Sequence, residues 1–445
     1  MRTLAILIAL GACGRIGFET VVDGAQPDGN ADADTAPPTA FPLPTGSVDT
    51  AGVNETGSEP DGTHLVFVDN TPGMNGDLVI FREGDVMPTL RAYVSIDHGA
   101  TWTRYVLDPP TTIGLNAMGG CQDTIDHAFH LSWLDTSDLD QYAAWKPMHA
   151  NGDITGFTFG SAFSFFDDGG DSPGPRDLAE IVDASGNHRL VFAGTGPSTG
   201  TTGIVKLAIT TPTAGVEPAS QADWARATDH AQTGSDDQLL PNDYATGDGP
   251  SSYLVTVSSN LAGGTAAPIV VAAGFPVDKQ LLAWTITPSA NDDFLIGAPA
   301  TITSAFGASS LRSDASLSLA SAPSGSVLIA YSAGGGLHVA AIDPTGAIAA
   351  DATPQPATDA AARHAVIATD AASRPAVLYA IGSTIVGTLL WNGAWLPASQ
   401  IAQVSPPAAA WNVTDVWTVD GDAYFGMYSD AGSGNATTFS RVSWH

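Results

Sequence analysis

Short runs in which apolar and polar residues alternate punctuate the chain, each following a turn rich in Asp or Gly. They read "DGTHLVFVD" near Gly62, "DHAFHLSWLD" near Asp126 and "DASGNHRLVFAG" near Gly186. They return as "GDGPSSYLVTV" near Gly249, "APSGSVLIAYSAG" near Gly325, "DAASRPAVLYAIG" near Ser373 and "VDGDAYFGMYSD" near Gly421. A period of two predicts strands with one face buried, carried for example by Leu190 and Phe192, or by Val377 and Tyr379. A second alternating run follows most of them: "GIVKLAI", "LLAWTI", "GLHVAAID" and "TIVGTLLW". An aromatic such as Trp102, Trp224 or Trp395 often closes the unit. No long segment has helical periodicity.

Units of about 45 to 65 residues with three or four strands each are the grammar of propeller blades. The expected fold is therefore an all-β propeller, of seven blades by this reading. Six is the alternative, because the region from 195 to 312 is irregular. The chain ends on three strand-like runs, "NVTDVWTVD", "AYFGMYSD" and "TTFSRVSW". The fourth strand of that blade is expected from the stretch before the first unit, around "TGSVDTAGV". Pairing the N- and C-terminal strands would leave the ring without an open edge.

Composition fits short strands joined by many turns: Gly (48) and Pro (30) are plentiful, and charged residues make up 14%. Lys and Arg total 15 against 46 Asp and Glu, a formal net charge of −31. A phosphate backbone is repelled by such a surface, which argues against nucleic acid as a partner. No apolar run of about 20 residues follows the N-terminus, so no transmembrane helix is expected there.

The first residues, "MRTLAILIALGAC", carry one basic residue, a short apolar run and a small-residue site, as secretory signals do. The ending Leu10-Gly11-Ala12-Cys13 resembles the lipobox of bacterial lipoproteins. That resemblance implies cleavage before Cys13, acylation of Cys13 and attachment to a membrane through the lipid. Gly14 after the cysteine implies the outer membrane, on its periplasmic or cell-surface face. Residues 1–12 would then be the signal peptide. Residues 13–41 read as an acidic Pro/Ala/Asp-rich linker, since such a segment buries too little surface to offset its ordering entropy. The propeller is expected over 42–445, as a monomer. With Cys13 acylated, Cys121 has no intrachain disulfide partner, and a buried thiol is expected there.

The stretch "SIDHGATW", Ser95 to Trp102, matches the pattern Ser-x-Asp-x-Gly-x-Thr-Trp position by position. It resembles the Asp-box, or BNR repeat, of sialidases and related propellers. Asp97 can accept hydrogen bonds from turn amides, Gly99 permits a positive φ, and Trp102 can wedge between blades. Ser95 and Thr101 complete the structural set. The resemblance implies a position at the outer turn between a blade's third and fourth strands, away from any active site. "LRAYV" before it and "TWTRYVL" after it suit that position. The box thus speaks for fold and an exported setting rather than for catalysis.

The sialidase resemblance would also imply three arginines for a substrate carboxylate, a Tyr–Glu nucleophile pair and an acid/base Asp. "IFRE", residues 80–83, is similar to the start of the family's Phe-Arg-Ile-Pro stretch, with Arg82 in the matching place. The Ile-Pro half is missing, and no spacing singles out the other groups.

Elsewhere, "FFDDGGDSPGPRD" clusters Asp167, Asp168 and Asp171, hard oxygen donors of the kind Ca²⁺ takes six to eight of. The alternative is a solvated acidic turn. The same holds for Asp236, Asp237, Asp243 and Asp248 in "TGSDDQLLPNDYATGDGP". No cofactor is required by any motif. His127 and His130 stand three apart in a strand-like run, which puts them on opposite faces and favours packing over metal binding. Trp133, Trp145, Trp391 and Trp395 suit either inter-blade packing or a sugar-stacking surface. The expected function is a non-catalytic binding or scaffold module for a protein or glycan. The competing expectation is a sialidase-like glycoside hydrolase with its active site at the propeller's central mouth.

Overall fold

The computed structural model describes residues 64–83, 90–97, 99–109, 118–134, 140–166, 176–197, 203–226, 254–261, 267–275, 279–288 and 294–307. It further describes 316–322, 324–333, 336–349, 362–369, 375–381, 384–391, 394–403, 411–419, 422–429 and 437–444, with short strands at 10–12, 16–18, 40–42 and 46–47. The fold is all-β; among the described residues the single helical turn is a 3₁₀ turn at Gln221–Asp223.

Strands β1 (Leu10–Ala12) and β2 (Ile16–Phe18) pair with each other, and β3 (Ala40–Pro42) and β4 (Gly46–Ser47) follow. The first four-stranded sheet holds β5 (His64–Val68), β6 (Leu78–Glu83), β7 (Leu90–Ser95) and β8 (Thr103–Val106). The second holds β9 (Gly119–Gln122), β10 (Phe129–Leu134), β11 (Asp140–Ala150) and β12 (Asp153–Phe166). In the third are β13 (Arg176–Val182), β14 (His188–Pro197), β15 (Gly203–Thr210) and β16 (Trp224–Arg226). The fourth comprises β17 (Leu254–Val257), β18 (Ile269–Phe275), β19 (Gln280–Pro288), β20 (Phe294–Ile296) and β21 (Ala300–Thr303).

The fifth sheet contains β22 (Leu317–Ser321), β23 (Val327–Ala333), β24 (Gly336–Ile342) and β25 (Ile348–Ala349). The sixth contains β26 (Ala362–Thr369), β27 (Pro375–Ile381), β28 (Thr384–Trp391), β29 (Ala394–Trp395) and β30 (Ser399–Gln403). In the last, β31 (Trp411–Val419), β32 (Asp422–Ser429) and β33 (Thr437–Trp444) pair in sequence, and β3 and β4 both pair with β33. Every sheet is antiparallel, so each connection from a first to a second strand shares one end of its sheet with the third-to-fourth connection.

The middle strands depart from the expectation of one buried face. Leu190, Val191, Phe192 and Ala193 of β14 are all fully buried, and so are Val377, Leu378 and Tyr379 of β27. The cause is stacking on both sides. Leu190 and Phe192 pack with Cys121 and Tyr142 of the second sheet, whereas Val191 and Ala193 pack with Val257 and Val271 of the fourth. Strand β18 does the same: Val270 and Ala272 join Ile329 of the fifth sheet, and Val271 and Ala273 face the third. Alternation in the second strands therefore sorts residues between two neighbouring sheets rather than between core and water. Burying one large aliphatic side chain contributes about 1.5–3 kcal/mol, so these interlayers supply most of the cohesion.

The recurring runs also change phase. "HLVFV" and "LVTV" are first strands of their sheets, β5 and β17, whereas the other five are second strands. A turn followed by an alternating run occurs at two places in each unit, and the sequence pattern does not separate them.

Candidate functional site

The connection from β9 to β10 is organised by one carboxylate. Asp123 Oδ1 accepts the amides of Ile125 at 2.8 Å, Asp126 at 2.6 Å and His127 at 3.2 Å, and Oδ2 accepts that of Ala128 at 2.9 Å. A short acidic side chain can gather turn amides in this way because its oxygens reach its own backbone a few residues on. His130 places Nε2 at 2.8 Å from Asp123 Oδ2 and Nδ1 at 2.6 Å from the Tyr142 hydroxyl. Burial pushes the Asp123 carboxyl up, but the His130 hydrogen bond and charge and the turn amides outweigh it and hold the group at about 2. The β13–β14 turn repeats the device, with Asp183 accepting the amides of Ser185 at 2.8 Å and Asn187 at 2.9 Å. Gly186 supplies its left-handed step at φ 82.

These turns meet at one end of the first three sheets. Gln122 Nε2 donates to Asp69 Oδ1 at 2.7 Å, and His149 Nε2 lies 2.6 Å from Asp69 Oδ2. Asn70 donates its backbone amide to Gln122 Oε1 at 2.7 Å, and its side-chain oxygen lies 2.9 Å from His127 Nδ1. The long β11–β12 hairpin overhangs the first sheet, where the Ile154 amide donates to Asp77 Oδ2 at 2.6 Å. The second and third sheets are joined through Glu180. Its Oε2 accepts the Thr124 amide at 2.8 Å, and its Oε1 accepts Thr124 Oγ1 at 2.8 Å. His188 Nδ1 stands 2.5 Å from the same Oε1. Glu180 is sealed from water, while the His188 side chain is 25% exposed. The Glu180 hydrogen bond raises the His188 pKa against the opposing effect of burial.

Chemically, these carboxyl groups are already committed to amides and imidazoles. Asp123 stays ionised near neutral pH and is poorly matched to proton transfer there. Among the described residues no group of three or more His, Cys, Asp or Glu could hold a metal ion. A cavity of about 220 Å³ opens at the same end, between the third, fourth and fifth sheets. Asn260, Pro268, Thr285, Thr287 and Pro344 line it, with no charged side chain. Asn260 is spent on the backbone of Val182, accepting its amide and donating to its carbonyl, both at 2.8 Å.

The Asp-box residues stand together in the turn from β7 to β8. Asp97 Oδ1 accepts Ser95 Oγ at 2.8 Å and the Thr101 amide at 2.7 Å, and Oδ2 accepts Thr101 Oγ1 at 2.6 Å. Burial opposes ionisation, yet the Thr101 and Ser95 hydrogen bonds win and lower the Asp97 pKa. Gly99 has φ 89. Trp102 is half-buried rather than fully packed. Cys121 is fully buried. Trp133 and Trp145 are core residues stacked at 6.4 Å, while Trp391 and Trp395 are half-buried.

His127 departs from the expected strand: it lies in the turn at φ 57, because the Asp123 carboxylate draws the backbone around itself. Cys13, the Asp167, Asp168 and Asp171 cluster, and Asp236, Asp237, Asp243 and Asp248 lie outside the described residues. Sequence reasoning missed Asp69, Glu180, His149 and His188. An acid in the middle of the apolar run "LAEIV" was the available signal for Glu180.

No family model and no curated protein matches the chain. Among solved structures it is similar to the polysaccharide lyase Uly1, at 9% identity and TM-score 0.46, over 92% of this chain and 100% of that one. A mutant of AofleA from Arthrobotrys oligospora is similar at 11% identity and TM-score 0.45, over 82% and 91% of the two chains. The sialidase of Trypanosoma rangeli in complex with the inhibitor DANA is similar at 11% identity and TM-score 0.42, over 91% of this chain and 60% of that one. All three TM-scores lie below 0.5, and likenesses of this grade assign neither a fold family nor an activity.

Proposed function

We propose that this chain is an exported, lipid-anchored β-propeller of seven blades that works as a non-catalytic binding or scaffold module for a protein or glycan. The ring is supported by the stacking of successive sheets through shared apolar clusters. It is supported also by the completion of the last sheet with β3 and β4, which come from the opposite end of the chain. The observation that carries the non-catalytic reading is the commitment of Asp69 and Glu180 to joining neighbouring sheets, and of Asp123 to its own turn and His130. The lipobox at Leu10–Cys13 supports the anchor at the outer membrane, with 13–41 as a spacer and 42–445 as the propeller. Ca²⁺ at Asp167, Asp168 and Asp171 is an accessory to this reading, not a requirement.

One observation favours the sialidase-like hydrolase as a second reading. Arg82 stands next to the last residue of β6, Arg176 opens β13, and Arg363 is the second residue of β26. In a ring of parallel first strands, all three positions fall at the end away from the Asp-box turn. The test is to screen the purified Cys13→Ser chain on sialylated, sulfated and neutral glycans, and to assay it on a fluorogenic sialoside. Saturable binding without turnover is expected. Turnover that is lost in Arg82→Ala would replace the first reading by the second. The anchor is tested separately: Cys13→Ser should move the protein from the membrane fraction to the soluble one, and retention after a high-salt wash counts against it.

A further inference from the structure

We propose that Thr124, Glu180 and His188 form a proton-operated latch between the second and third sheets, closed while His188 is protonated and loosened when it loses that proton. The geometry is that of a hub. One carboxylate, sealed from water, takes two bonds from Thr124 of one sheet and one from His188 of the other. The imidazole is the member with access to solvent, and so the point where a proton enters or leaves. Beyond Glu180, the charged groups that bear on His188 are Asp123 on the second sheet and Asp183 on the third, both anionic. His130 and Arg189 answer those two carboxylates, at 2.8 Å and 3.8 Å. Deprotonating His188 therefore removes the positive charge that bonds Glu180 at the seam, while Asp123 and Asp183 keep partners of their own.

The sign follows from linkage. A raised folded-state pKa contributes stability that is complete below the unfolded value of about 6.5 and is lost as pH rises through the folded value. The bonds at the next seam, from Val182 N to Asn260 and from Ser259 Oγ to the Glu180 carbonyl, involve no titrating side chain and supply an internal control.

Amide hydrogen exchange on the full chain, corrected for the chemical exchange rate, reads the latch through the Thr124 amide. From about pH 6 to about pH 9 the protection of Thr124 should fall about tenfold while that of Val182 holds. His188→Gln, a change at a partly exposed position, should leave a lower, pH-flat protection at Thr124. Glu180→Gln keeps an acceptor for Thr124 and should likewise remove the step. A wild-type profile without the step would overturn the proposal. So would the same step in His188→Gln, or an equal fall at Val182, which would mean global opening.

Discussion

Between the first and third sheets the polar seam runs through Asp69, His149, Glu180 and His188, with Asn70, Gln122 and Thr124 as neutral partners. Between the third and sixth sheets it runs through hydroxyls and amides. Ser259 donates to the Glu180 carbonyl at 2.6 Å, Asn260 clasps Val182, Ser321 donates to the Ser259 carbonyl, and Ser318 accepts the Ile367 amide at 3.2 Å. Asp177 is the ionisable acceptor there, taking Thr256 Oγ1 at 2.6 Å and the Val257 amide at 3.0 Å. The apolar interlayers are alike in both regions, each built from alternate residues of adjacent sheets. The difference teaches that stacking needs only the apolar pattern, whereas the polar seam decides how a given pair of sheets responds to pH.

The largest expected effect comes from the centre of the ionisable region. Asp123→Ala strands turn amides and the ring nitrogen of the buried His130, and each buried polar group left unsatisfied costs about 1–3 kcal/mol. Urea unfolding measures it, and a cost below about 1 kcal/mol would erase the contrast between the regions. Acid should act next. With the Asp123 carboxyl held at about 2 against its usual 3.8, its contribution is present above the unfolded value and is lost as pH falls through the folded one. The loss is about 2–3 kcal/mol. It should be missing from the pH profile of Asp123→Asn.

Among the hydroxyls and amides of the second region, Ser259→Ala removes the donor to the Glu180 carbonyl and the acceptor of the Leu261 amide. The expected cost is about 1–2 kcal/mol, the same at about pH 5.5 as at about pH 8.5. A pH-dependent cost would show that this seam, too, responds to a titrating group. The smallest effect is expected off the seams, at the Asp-box turn. Asp97→Ala loses hydrogen bonds that are largely exposed, for about 1 kcal/mol. It should lower the melting temperature slightly and leave both the acid profile and any ligand binding unchanged. Lost binding at unchanged stability would mean that this turn belongs to the binding site.

The strands were legible because period-two alternation is a local property: "HRLVFAG", "VLIAYSA" and "PAVLYAI" all became strands with the expected run of apolar residues. The Asp-box was legible for the same reason, since Ser95, Asp97 and Thr101 satisfy one another within a few residues. His127 was misread because a single carboxylate four residues earlier outweighs strand propensity. The seam residues were not legible. Thr124 and Glu180 are 56 positions apart, and Asp69 and His149 are 80 apart.

By itself, then, the sequence determined an all-β chain of short antiparallel strands, its acidic character, and the chemistry of its tight turns. Each of these is set by neighbours within a few residues, where alternation, Gly and short acidic side chains leave the backbone little choice. Only the tertiary structure decided that the middle strands are buried on both faces, and that Glu180 meets Thr124 while Asp69 meets His149. Those pairings exist because stacked sheets bring the turns at one end into contact. A buried carboxylate there must find donors across the seam or bear the cost of an unpaired charge.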